Sequence, residues 1–97
     1  MQMLDRRDGG RQEFVGQVQL IWHHEPGHAC SFDLLDISST GARLRVGASL
    51  LEGMTGVVIT LEPGKIHVDR AFMVVWARSI RDPDGHVTHH EAGIRFL

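Results

Sequence analysis

The sequence predicts an all-β domain, six short antiparallel strands folded into a small barrel or sandwich. Three observations lead there. Apolar residues recur at every second position in one run after another, the signature of half-buried strands. The runs are separated by turn-forming clusters such as Glu25-Pro26-Gly27, Glu62-Pro63-Gly64 and Asp82-Pro83-Asp84-Gly85. No stretch carries the period of an amphipathic helix, and closure into a barrel would remove the exposed strand edges.

Met1 to Gln12 has no apolar periodicity and contains Asp8-Gly9-Gly10, so residues 1–12 are expected to form a flexible arm ahead of a single domain over 13–97. From Glu13 to Trp22, Phe14, Val18, Leu20 and Trp22 share one face with Gln17 and Gln19 opposite, which predicts the first strand. The second is expected from about His28 to Leu35, with Cys30, Phe32 and Leu34 aligned. Asp36-Ile37-Ser38-Ser39-Thr40-Gly41 then reads as a sharp polar turn, because Asp and Ser side chains bond nearby backbone groups and Gly adopts angles that other residues resist.

A third strand follows over Ala42 to Val46, with Arg43 and Arg45 on the face opposite Ala42 and Leu44. Gly56 to Leu61 forms a β-branched fourth strand. Ile66 to Arg78 is the longest run, with Phe72, Val74 and Trp76 on one side and Met73, Val75 and Ala77 on the other, which predicts a central strand covered on both faces. Arg81 to Gly85 is a hairpin turn, since Pro presets one turn angle and Gly takes the left-handed position, and His86 to Phe96 pairs back.

Composition limits the function. At 97 residues the chain makes one domain, without room for a deep cleft between lobes. Hydrophobic residues at 42% and charged ones at 23% are ordinary for a folded soluble domain. No apolar run approaches the roughly 20 residues that span a bilayer. The start has no apolar signal core and the single Cys30 has no partner, so a cytoplasmic protein without membrane insertion is expected. A net charge of -2 argues against a DNA or RNA binder that neutralises many phosphates. Single-stranded RNA binding on a generic barrel would call for exposed aromatics and a basic surface, neither of which is evident.

Two short patterns remain after the fold is accounted for. Arg7-Asp8-Gly9-Gly10-Arg11, preceded by Arg6, fits R-x-x-x-R, and Asp36 to Gly41 fits D/N-x-S-x-x-G. In this order, with a strand pair between, they resemble the two signature motifs of the PilZ domain family. Val75-Trp76 and Gly93-Ile94-Arg95-Phe96 are similar to structural positions of the same family, so the resemblance covers essentially the whole chain.

The resemblance implies a six-stranded antiparallel β-barrel and a receptor for the bacterial second messenger cyclic di-GMP, with no cofactor. It assigns phosphate and guanine contacts to Arg7 and Arg11, whose guanidinium forks match both partners. Asp36 would accept from a guanine N1–H and amino group, Ser38 would donate or accept, and Gly41 would let the backbone come close. Arg6 resembles the extra cation of members that hold two stacked ligand molecules. Ordering the arm costs roughly 1 to 2 kcal/mol per residue, so a modest affinity is expected. The sequence stops at Leu97, before the helix that commonly follows the last strand in this family, either because this is a minimal member or because the chain was cut there; without that helix a homodimer is expected to cover the barrel mouth. The downstream protein partner is not named by any residue.

Other groups read as structural. His23, His24 and His28 lie around one turn and His86, His89 and His90 near another, but a zinc site needs three or four converging ligands, so no metal is expected. Trp22 and Trp76 are both assigned to the core. Ser38 has neither a base nor an oxyanion site placed for it by sequence, so no catalytic residue and no enzyme activity are expected. Two functions follow: a cyclic di-GMP effector whose arginine arm orders on the ligand and signals to a partner, or a degenerate barrel of the same fold that acts through protein contacts alone.

Overall fold

A computed structural model describes residues 15–62 and 69–97; the arm over 1–12, with residues 13–14 and 63–68, lies outside the described residues. Six strands follow one another: β1 (Gly16–Trp22), β2 (Ala29–Ile37), β3 (Gly41–Val46), β4 (Thr55–Glu62), β5 (Ala71–Arg81) and β6 (Val87–Phe96). They close into an antiparallel barrel in the order β1-β2-β3-β6-β5-β4, so the expected barrel is the one found. Among the described residues there is no helix.

Period-two alternation sends Val18, Leu20, Trp22, Leu34, Leu44, Val58, Phe72, Val74 and Ile94 inward, all at most 4% exposed. Each fully buried aliphatic side chain contributes about 1.5 to 3 kcal/mol against leaving it in water. Trp22 packs edge-on against Phe72, with ring centroids 5.4 Å apart, and anchors the core as expected. Cys30 and Phe32 are half-buried against the same cluster. Arg43 and Arg45 stand on the outer face, as their alternation with Ala42, Leu44 and Val46 requires.

Two β-bulges change which way side chains point. In β2, Leu34 pairs with Leu44 and Asp36 with Arg43, which leaves Leu35 as an extra residue. The inserted Leu35 advances the alternation by one step, so Asp36 faces outward beside Arg43 while Ile37 returns toward the core. In β5, Val74 pairs with Ile94 and Trp76 with Gly93, which leaves Val75 unpaired. Past this bulge Ala77 faces inward opposite Ala92, and Trp76 faces outward.

Three expectations are thereby corrected. Trp76 is not a core residue, because the bulge at Val75 reverses its face. β5 is not covered on both sides, since Val75 is 41% exposed. The polar turn is narrower than Asp36 to Gly41, because Asp36 and Ile37 still pair within β2 and only Ser38 to Thr40 leave the sheet. The described part of the fifth strand begins at Ala71, after Asp69 at φ 64, a left-handed conformation that Asp tolerates; residues 66–68 of the expected run lie outside the described residues. The hairpin after β5 has the expected turn, with Gly85 at φ 88 and the Asp82 carboxylate accepting from the N–H groups of Asp84 and His86, both at 2.9 Å.

One end of the barrel gathers the segments that matter for function. The N–H of Val15 donates to Leu34 O (2.8 Å), that of Phe96 to Thr40 O (2.8 Å) and that of Leu97 to Ala71 O (2.9 Å). The described chain therefore begins beside the Ser38–Gly41 turn and ends at the same mouth.

Candidate ligand site

Strand pairing places four residues in one row across the outer surface. Asp36 of β2 pairs with Arg43 of β3, Arg43 with Gly93 of β6, and Gly93 with Trp76 of β5. Three strand spacings separate the ends of this row, about 14 Å. Both ends owe their outward direction to the bulges at Leu35 and Val75. Gly93 is the low point: a Cβ added there would overlap the Trp76 indole, so the absence of a side chain is what lets the ring lie against the sheet. Arg78 covers the ring, its Cζ 5.1 Å from the centroid, within the range of a cation–π contact.

The row above it is charged in alternation, Asp33, Arg45, Glu91 and Arg78. Arg95 and Met73 pair in the row below, next to Gly41. Four arginines thus share the outer surface of β3, β5 and β6 with one tryptophan.

Asp36 is exposed, and its Oδ2 lies 3.2 Å from Arg43 Nε. That distance makes an ion pair, but the buried Nε–H makes no hydrogen bond, so the contact holds the two side chains together without saturating the donor. Arg43 Nη1 lies 3.8 Å from Glu91 Oε1. The planar fork of Arg43 therefore stands between two carboxylates with neither one taking it in a bidentate grip.

The turn residues serve the backbone first. The N–H of Ser38 donates to Gly41 O (2.8 Å), and Ser38 Oγ accepts from the N–H of Thr40 (3.3 Å) and lies 3.2 Å from Thr40 Oγ1. This is a local side-chain-to-backbone turn of the kind Ser readily forms. Gly41 acts by close approach and not through a left-handed backbone: a Cβ there would overlap the Ile94 carbonyl of β6. Glycine at this position lets β3 and β6 meet.

The sequence-predicted site residues thus divide into two groups. Asp36, Ser38 and Gly41 come together at one end of the barrel, whereas Arg6, Arg7 and Arg11 lie outside the described residues. Trp76, Arg43 and Glu91 share the surface with Asp36 and were not singled out from sequence as site residues. Alternation alone gave Arg43 its face, but Trp76 needed the bulge.

The histidines are dispersed. His23 Nδ1 lies 2.9 Å from Thr55 Oγ1, His24 stacks on Trp22, His90 Nδ1 lies 3.0 Å from Ser79 Oγ, and His89 Nε2 lies 3.2 Å from Glu91 Oε2. Asp82, Asp84 and His86 gather at the β5–β6 turn, where Asp82 already holds two backbone N–H groups. No described helix is long and apolar enough to cross a membrane.

Comparison with curated proteins and with solved structures gives no match. Comparison with protein families does: residues 5–97 match the PilZ domain, a family of cyclic di-GMP receptor domains. That span takes in both arginine and D-x-S-x-x-G motifs, all six strands and the row from Asp36 to Trp76, and the chain belongs to the PilZ domain family.

Proposed function

We propose that this protein is a cyclic di-GMP receptor that acts in the cytosol and holds its ligand on the outer surface of β2, β3, β6 and β5. The observation that carries this reading is the row Asp36, Arg43, Gly93 and Trp76, which offers an acceptor-only carboxylate, a guanidinium fork and an aromatic ring side by side. Asp36 is suited to the N1–H and amino group of guanine, Arg43 to a phosphate, and Trp76 to stacking on a base. A smooth surface between them comes from Gly93.

Arg6, Arg7 and Arg11 complete the site from the arm. Arg11 is only four positions before Val15, a reach of at most about 14 Å, and Val15 is hydrogen-bonded to β2 two residues before Asp36. The motif arginines are thereby tethered to the barrel end that carries the Ser38–Gly41 turn. Ligand occupancy orders the arm against the barrel and changes the surface presented to a partner protein, which is the signal.

Calorimetric titration with cyclic di-GMP tests the proposal, with GTP and cyclic di-AMP as controls and Arg7→Ala alongside. Saturable, guanine-selective binding lost in the variant is the expected result, and its molar ratio distinguishes one ligand from a stacked pair with Arg6 engaged. Absence of both heat and thermal stabilisation at high ligand concentration would overturn it in favour of a nucleotide-independent interaction module.

A further inference from the structure

Glu91 is the one buried charged residue among those described, 2% exposed although its strand position points it out of the barrel. An outward carboxylate normally stays in water, and burial is tolerated only where both oxygens are engaged. Here they are. Oε1 accepts from Arg78 Nη2 at 3.3 Å and lies 3.8 Å from Arg43 Nη1, and Oε2 lies 3.2 Å from His89 Nε2. Arg45 pairs opposite it on β3. Glu91 is therefore the shared partner of Arg43 and Arg78 on this surface, and it presents almost no surface for a ligand to touch.

We infer that Glu91 is a positioning residue: it fixes Arg78 on Trp76 and holds Arg43 beside Asp36, so that the two halves of the ligand surface are set before the ligand arrives. This rests on the receptor reading above. The two arginines are held unequally. Arg78 is hydrogen-bonded to Glu91 and lies on the indole, whereas Arg43 stands at ion-pair distance with its Nε–H unsaturated. Neutralising Glu91 leaves Arg43 on β3 and Arg78 on β5, on either side of β6, without their common counter-charge, and Arg78 then leaves the ring. Preorganisation of this kind raises affinity without adding a contact to the ligand.

The test uses the full chain with Glu91→Gln, which keeps the side-chain volume and removes the charge. Two readouts are taken. The chain has two tryptophans, hence two indole Nε1–H resonances, and the Trp76 signal is expected to move while that of Trp22 stays. Affinity for cyclic di-GMP is expected to fall about tenfold, and the loss to shrink to the several-fold part carried by Arg78 and Trp76 when Arg43 is already alanine, since coupled residues are not additive. A general weakening of the barrel would act equally in both backgrounds. An unmoved Trp76 resonance, or equal affinity of Glu91→Gln and wild type, overturns the inference. If the wild-type protein itself gives no cyclic di-GMP binding, the receptor reading fails and so does the service of Glu91 to that ligand. Should Glu91→Gln not fold, Arg78→Gln cuts the same link from a side chain that is 58% exposed, and the same shift of Trp76 and a fall in affinity of several-fold are expected.

Discussion

The indole of Trp76 occupies the space that a side chain would fill at Gly93, on the outside of the barrel. The pairing matters twice over. It gives the ring a flat seat between strands, and it puts an aromatic surface in the row that begins at Asp36.

Gly93→Val should expel the ring from that seat. The barrel is expected to lose about 1 to 3 kcal/mol through overpacking, and binding of cyclic di-GMP to weaken with it. Thermal unfolding and calorimetry on the same preparation check both effects, and unchanged affinity would show that the ring is not part of the ligand surface.

The two tryptophans should behave differently. Trp22→Ala empties core space at a residue 4% exposed and is expected to cost about 3 to 5 kcal/mol, measured by urea unfolding. Trp76→Ala is expected to cost clearly less, because the ring lies half-buried on the outer surface between Gly93 and the exposed Arg78 and leaves no core cavity. Loss of a stacked base should lower affinity for cyclic di-GMP by about 1 to 3 kcal/mol. Equal destabilisation by the two substitutions would contradict the reversal of Trp76 by the Val75 bulge.

Arg7→Ala and Arg11→Ala should each abolish measurable nucleotide binding and leave the unfolding midpoint in place. The barrel closes through β1 to β6, none of which includes either residue. A circular dichroism melt beside each titration separates the two effects, and unfolding of either variant would refute this division between arm and barrel.

At the turn, Gly41→Val should be the more damaging change and Ser38→Ala the milder. A side chain at Gly41 meets the Ile94 carbonyl, which is backbone and cannot swing away, so β3 and β6 must separate. A loss of about 1 to 3 kcal/mol with loss of binding is expected. Ser38→Ala removes the acceptor for Thr40 N–H, a net loss of about 0.5 to 1.5 kcal/mol, and should weaken binding only in part. Wild-type stability in the Gly41 variant would show that the strands have room to spare.

Period-two alternation and short turns were enough to predict six antiparallel strands and most of the core, because burial of one face is a local property of a strand. The hairpin at Asp82 to Gly85 was equally legible, since Pro and Gly restrict or permit backbone angles by themselves. The motif residues Asp36, Ser38 and Gly41 could be named from their types and spacing, and the PilZ resemblance with them. The face of Trp76 could not. A bulge exists only in relation to the partner strand, and it is the pairing of Val74 with Ile94 and of Trp76 with Gly93 that leaves Val75 over. The same holds for Leu35 and the outward turn of Asp36. Glu91 reads in sequence as one more surface acid; its burial arises from Arg43 on β3, Arg78 on β5 and His89 on its own strand, which only closure of the barrel brings together. Local chemistry decided the elements and the motif, and the register between strands decided which side chains share a surface.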